Sequence, residues 1–383
     1  MRRGVAELPL HTGHVPPWLA SRMKKLAAIV VELVVDEYGT RGLLERLADP
    51  VWFQALNNII GMDWDSSGST TVTTAILRQV LAELDIGAYA AGGKGGRSLR
   101  TPGELREIAR RLGLDAAELI RTSALVAKVD NAALQDGYQL YHHTFFVDEE
   151  GRWAVVQQGM NPSAKLARRY HWFSESAGAF TESPHSGVCG LRGVALNTVD
   201  RGLREHQKLL VDLSKEDPRR VEAYLRQAAA LAKGYRPLSY YAPYSPRKAK
   251  AIVNRYLRLG KLSLNRSALL IAREADVRSY RELLEVRGVG PSTLRSLALV
   301  AELVYETPPS WRDPVTHPPD PFKFAYAVGG KDGVPFPVDR RRYDEILRIL
   351  EELSRKVRGR WVLRRLALLT KKWSPPPEEK VPT

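Results

Sequence analysis

The stretch "YQLYHHTFFVDEEGRWAVVQQGMN", residues 138–161, constrains the fold of this chain more than any other. Two runs rich in β-branched and aromatic residues flank Asp148-Glu149-Glu150-Gly151. Runs of this kind around a polar turn that ends in glycine predict an antiparallel β-hairpin. Alternate side chains of a strand share a face, so His142 and His143 point opposite ways. At most one of them can serve a site together with Gln157 or Asn161.

Around this hairpin the pattern is mainly helical. Residues 21–47 read as a helix, with Gly39 and Gly42 marking its end or a break. A Ser/Thr/Gly-rich stretch, Asp63 to Thr74, leads into the apolar-periodic run Ala75–Leu84. "AAGGKGGRSLR", residues 90–100, reads as a flexible basic loop. Thr101-Pro102-Gly103-Glu104 has capping-box spacing with proline at the first helical position, so a helix should start there. That helix and the next, over "DAAELIRTSALVAKV", form a helix–turn–helix pair that is either a packed hairpin or a DNA-binding element. From about residue 200 the pattern is helical throughout, apart from a Pro-rich loop at 307–338. The tail 373–383 should be disordered.

Charge divides the chain. The formal net charge is +15, yet residues 1–195 carry 21 basic and 21 acidic side chains. The remaining 37 basic and 22 acidic residues place the whole excess in the second half. A basic half beside a neutral one points to nucleic acid, the alternative being a basic surface kept for solubility. The composition shift sets a boundary near 195–205. The expected architecture is therefore α+β: a mixed domain over 1–198 containing the hairpin, then an all-α domain over 199–372. The single cysteine, Cys189, excludes an internal disulfide and a Cys-rich zinc site. No stretch reaches the roughly 18 consecutive apolar residues of a membrane span. The first residues, "MRRGVAELPL", lack the features of a signal peptide. A cytoplasmic protein is expected.

In the basic half, "LLEVRGVGPSTLRSLALV" (283–300) reads as two helices joined by a minimal turn. Pro291 suits a first helical position, and Gly288 and Gly290 leave no side chain to keep an anion from the exposed amides. Val286-Arg287-Gly288-Val289-Gly290 resembles the core of the helix-hairpin-helix motif. The expected DNA contacts are Arg287, Gly288, Val289, Gly290, Ser292 and Thr293, together with Lys331 downstream. The half also resembles the helix-hairpin-helix DNA glycosylase superfamily, in which a Gly/Pro-rich loop and a catalytic Asp follow the hairpin. "GGKDGVPFPVDRRRYDEILRIL" (329–350) places Asp339 at that position. The resemblance implies that Asp339 stabilises the positive charge developing on the sugar, and that a pocket beside the hairpin receives an extruded base. Ser292 stands where bifunctional members carry a lysine, so a lyase step through that lysine is not implied. Two departures remain: 47 positions separate Ser292 from Asp339, and an Asp that opens a helix can serve simply as its cap.

Taken whole, the chain resembles a prokaryotic family filed as domain of unknown function 763. The strings that carry this are "MDWDSSGSTTVTT", "AKVDNAALQDGYQLYHHTFFVDEEGRWAVVQQGMN" and "GGKDGVPFPVD". That resemblance implies no activity. The hairpin itself is faintly similar to a phospholipase D-like nuclease motif built on His142 or His143, but Thr144 or Phe145 stands where that family has a lysine. Asp63 and Asp65 beside hydroxyls could hold Mg²⁺ for a nuclease, the Ser/Thr/Gly loop entering the helix could bind phosphate, or the string could be a capped helix start. His11, His14, His171 and His185 could ligate a metal only if the fold gathers them. No metal or other cofactor is expected outside the nuclease alternative, and no membrane partner. The leading expectation is a DNA-repair protein acting as a monofunctional glycosylase. The alternatives are a structure-specific nuclease working through Asp63 and His143, and a DNA-binding scaffold without catalysis.

Overall fold

The computed structural model describes residues 15–62, 67–233, 235, 244–317, 340–341, 343–344 and 346–348. It is an α+β fold with antiparallel sheets. Helix α1 (Pro17–Leu47) is interrupted at Gly39, where the backbone leaves helical angles (φ 69°, ψ 179°). Helix α2 (Pro50–Ile59) starts on Asp49, whose carboxylate accepts from the Val51 amide at 2.8 Å. Proline at the next position loses no bond there. Helix α3 (Ser67–Leu84) follows.

Strand β1 (Ala88–Lys94) corrects the expectation of a loop over 90–100. It pairs with β3 (Gln139–Asp148), and residues Gly95–Arg100 continue it as a 3₁₀ helix. Glycine hides this strand from a propensity reading but lets it form. A Cβ on Gly92 would sit 2.3 Å from the His143 carbonyl oxygen. Helix α4 (Thr101–Leu112) starts where expected, though without a capping box. The Thr101 hydroxyl donates to Ser98 O, and Glu104 accepts from the Gly92 amide and from Arg97. Helix α5 (Ala116–Lys128) is capped by Asp115 and runs into a π-helical turn, Val129–Ala133.

Strands β2 (Leu134–Gln135), β3, β4 (Trp153–Asn161), β5 (Leu166–Phe173), β6 (Gly187–Cys189) and β7 (Val194–Asn197) complete the first half. The expected hairpin is β3–β4. The main sheet has the order β1-β3-β4-β5-β6. Both of its faces are covered. Phe146, Ala154, Val156 and Phe173 pack with α1, α2 and α3. Phe145, Val155 and Trp172 pack on the other side with α4, α5 and the helices of the second half.

Those helices are α6 (Arg204–Lys215), α7 (Pro218–Ala232), α8 (Pro246–Leu259), α9 (Arg266–Glu274), α10 (Tyr280–Glu285) and α11 (Pro291–Tyr305). The second half is not all-α. Strand β8 (Ser310–Arg312) pairs with β7 to close a small sheet, β2-β7-β8. One apolar cluster also runs from Ala91 to Leu303, so packing is continuous where composition shifts. Among the described residues no helix is long and apolar enough to cross a membrane.

Candidate functional site

Three neighbouring strands each carry a polar doublet at the centre of an otherwise apolar run: His142-His143, Gln157-Gln158 and Arg168-Arg169. Pairing aligns His143 with Gln157 and Tyr170 on one face of the sheet. It aligns His142 with Gln158 and Arg169 on the other. All six doublet side chains are buried, so each needs internal partners.

On the first face the polar groups form a continuous row. The Ser123 hydroxyl lies 2.8 Å from His143 Nε2, and His143 Nδ1 lies 2.9 Å from Gln157 Oε1. Gln157 Nε2 donates to Asp130 Oδ2 at 2.5 Å, Trp172 Nε1 donates to the same oxygen at 2.9 Å, and His185 Nε2 meets Asp130 Oδ1 at 2.5 Å. A carboxylate only accepts, which fixes the amide of Gln157 with its oxygen toward His143. That oxygen requires the proton on His143 Nδ1. Nε2 is left to accept from Ser123, so Asp130 sets the tautomer of a histidine two residues away in the row. Burial lowers the pKa of His143, against opposing contributions from Gln157 and Asp130, and favours the neutral ring. Two irregularities frame the row: the π-turn that carries Asp130, and a β-bulge between Leu140 and His142. Both are features that proteins keep near working sites.

Ser123, His143 and Gln157 reach a cleft of about 300 Å³ whose walls include Leu99, Ile120 and Tyr141. No Lys, Arg, Asp or Glu among the described residues lines it. Because both nitrogens of His143 are engaged, it does not present a free nucleophile of the phospholipase D kind. Counted from His143, the place of that family's lysine falls on Phe145, which packs in the core; counted from His142 it falls on Thr144, which bonds His142 Nε2 at 3.0 Å on the opposite face.

On the second face Thr74 also bonds His142 Nε2 at 3.0 Å. Burial, aided by the charges of His143 and Lys94, pushes the pKa of His142 down to about 3. Gln158 Nε2 donates to Ser67 O at 2.9 Å, and its oxygen accepts from the Thr70 hydroxyl. Neither face gathers a metal site. His171 bonds Leu47 O and Arg169, His185 bonds Asp130, and no cluster of three ligating side chains occurs among the described residues.

The hairpin predicted in the basic half is α10–α11. Gly288 adopts φ +90°, and a Cβ there would lie 2.7 Å from Asn265 Nδ2. Gly290 is the extended residue that precedes α11, and a Cβ there would meet nothing within 4 Å. Arg287 and Gly288 are exposed, while Gly290 and Ser292 are half-buried at the helix start. The first-turn amides of an α-helix have no partner within it, so this end can hold an anion. Val289 and Thr293 turn inward instead. Val289 packs in the core, and the Thr293 hydroxyl accepts from the Asn265 amide at 3.2 Å. Sequence reasoning missed Lys128, whose ammonium comes from α5 and donates to Val289 O at 2.8 Å. It also missed Ser123, Asp130 and the buried arginines, for which the doublets were the available signal. His11, His14, Asp63, Asp65, Lys331 and Asp339 lie outside the described residues.

A family model described as "Protein of unknown function (DUF763)" matches residues 4–338. The chain belongs to this DUF763 family. Its match includes the cleft, both faces of the sheet and the hairpin, and it ends one residue before Asp339. Neither a curated protein nor a solved structure matches the chain.

Proposed function

We propose that this chain is a DNA-repair protein that grips duplex DNA with the α10–α11 hairpin and receives an extruded base in the cleft above Ser123 and His143. The observation that carries this reading is that hairpin and cleft share one helix. Lys128 of α5 reaches the hairpin turn, while Ile120, Ser123 and Ala127 of α5 line the cleft. A helix with its side chains is about 10–12 Å across, so a duplex held at one feature passes close to the other. Apolar walls over a floor of uncharged donors and acceptors suit a planar heterocycle read along its edge. Excision by Asp339, without a lyase step, is the chemistry that the superfamily resemblance supports.

Gly290→Ala tests the grip in the full-length protein. The added methyl meets no protein atom, so the melting temperature should hold while affinity for all duplexes falls about tenfold, on the scale of one lost charged contact. Unchanged affinity would return the hairpin to an ordinary turn. Lesion-bearing duplexes, treated with and without alkali and Mg²⁺, test the chemistry. Alkali-dependent nicks that drop by roughly two orders of magnitude in Asp339→Asn are expected of a glycosylase. Direct Mg²⁺-dependent nicks, or binding without nicks, would overturn it.

A further inference from the structure

Arg168 and Arg169 are adjacent on β5, and both are completely buried. Arg168 lies between two carboxylates, Asp136 at 2.7 Å and Asp313 at 2.8 Å. Arg169 bonds only neutral acceptors: His171 Nε2 at 3.0 Å, Gln54 Oε1 at 3.1 Å and Thr70 Oγ1 at 3.4 Å. His171 is neutral here, because burial and Arg169 hold its pKa well below the ordinary histidine value. Among the described residues no carboxylate pairs with Arg169. A guanidinium has five N–H donors, and these bonds use three. The Phe53 ring lies 4.9 Å from the guanidinium, but among the described residues no anion balances the charge, and a buried charge without a counter-charge is costly.

The surroundings of Arg169 repeat the deficit. Asn57 Oδ1, Asn58 Nδ2, Thr73 Oγ1 and His142 Nδ1 are buried without hydrogen-bond partners, and none of the four residues is more than 3% exposed. Each is tied to Arg169 by one step. Asn57 and Asn58 both bond Gln54, Thr73 lies three residues along α3 from Thr70, and His142 is in the same cross-strand ladder. Gln158, paired with Arg169 across the strands, links this cluster to α3 by donating to Ser67 O.

We infer that this cluster is an oxyanion-binding site, built for a phosphoryl group. The guanidinium supplies the counter-charge and a planar two-pronged donor, and the unpartnered amide and hydroxyl supply further donors. The same chemistry comes from inorganic phosphate or from the phosphorylated end of a nucleic-acid strand. Arg169, Asn58 and Thr73 are not among the residues lining the cleft, whose wall shares only His142 with this site, so the inference does not depend on the reading of that cleft.

The test is thermal unfolding of the full chain in phosphate against chloride at matched ionic strength. A bound anion raises the melting temperature with the logarithm of its concentration above a threshold, whereas general salting-out acts in proportion to concentration. Wild type should show the logarithmic rise. Thr73→Val, which preserves shape, should shift its threshold at least tenfold higher. Arg169→Met should abolish the rise while leaving stability in chloride equal or greater, because it removes an unmatched charge. A wild-type response that is absent, or identical in Thr73→Val, would overturn the site. So would an Arg169→Met protein that unfolds in chloride while Thr73→Val responds as wild type does, since Arg169 would then have its partner within the chain. A short oligonucleotide with a 5′-phosphate, run beside its 5′-hydroxyl twin, identifies the source. An Arg169-dependent rise at lower concentration than inorganic phosphate assigns a strand end, and an equal or higher threshold assigns the free ion.

Discussion

Both faces of the central sheet bury polar side chains, and they treat the two buried arginines differently. On the cleft side, charge is answered from within the chain: Asp136 and Asp313 hold Arg168, and Asp130 takes donors from Gln157, Trp172 and His185. On the α3 side, one guanidinium sits among amides, hydroxyls and imidazoles. The comparison teaches that burial alone does not reveal purpose. A matched buried charge can be architecture, since its partners fix the loops that bring them together. Arg168 does this by tying β5 to Asp136 after β2 and to Asp313 after β8.

The largest effect that would sharpen this contrast is expected at Arg168. Arg168→Met strands two buried carboxylates and should cost about 3–5 kcal/mol in chemical unfolding, the scale of a broken buried pair. A loss below about 1 kcal/mol would erase the distinction between the two arginines. A pH series comes next. His142 takes up a proton near pH 6.5 when unfolded but only near 3 when folded. The unfolded state therefore binds more protons in that window, and stability falls as pH drops from about 6.5 toward 3. Each such histidine contributes about 1.4 kcal/mol per pH unit. His142→Leu should reduce the slope between pH 6 and 4.5 by up to that amount, and an unchanged slope would show that His142 is protonated in the fold. An effect of similar size is expected at Asp130. Asp130→Asn removes a charged acceptor and should cost about 1.5–3 kcal/mol. It should also release the Gln157 amide to flip, seen as a changed tautomer signature of His143 in ¹⁵N spectra. An unaltered signature would mean that Asp130 does not set the tautomer.

Much of the frame was legible because it rests on local rules. The β3–β4 hairpin, the break at Gly39 and the α10–α11 turn each follow from turn chemistry or apolar spacing. Strand β1 was not legible, since its glycines serve a close approach to His143 that only the folded sheet reveals. The polar doublets were legible in part. Alternation separated the two histidines as expected, and only His143 joins Gln157; what it did not reveal is that the opposite face is covered as well. Here helices cover both faces, so both histidines are buried and both are partnered. Ser123 and Asp130 gave no local signal. Their chemistry comes from tertiary contacts with β3 and β4, which no spacing within α5 encodes.

Strand β8 has a consequence for how the molecule is made. Its partner β7 lies more than a hundred residues earlier, with Val194 facing Arg312. A ribosome releasing this chain would present the first half with Arg168 still missing Asp313 and the small sheet still missing an edge. The native pairing can close only after the hairpin of the basic half has emerged, and such late, distant closures slow folding. The order of synthesis thus makes the final assembly of the cleft-side core wait for the α10–α11 hairpin.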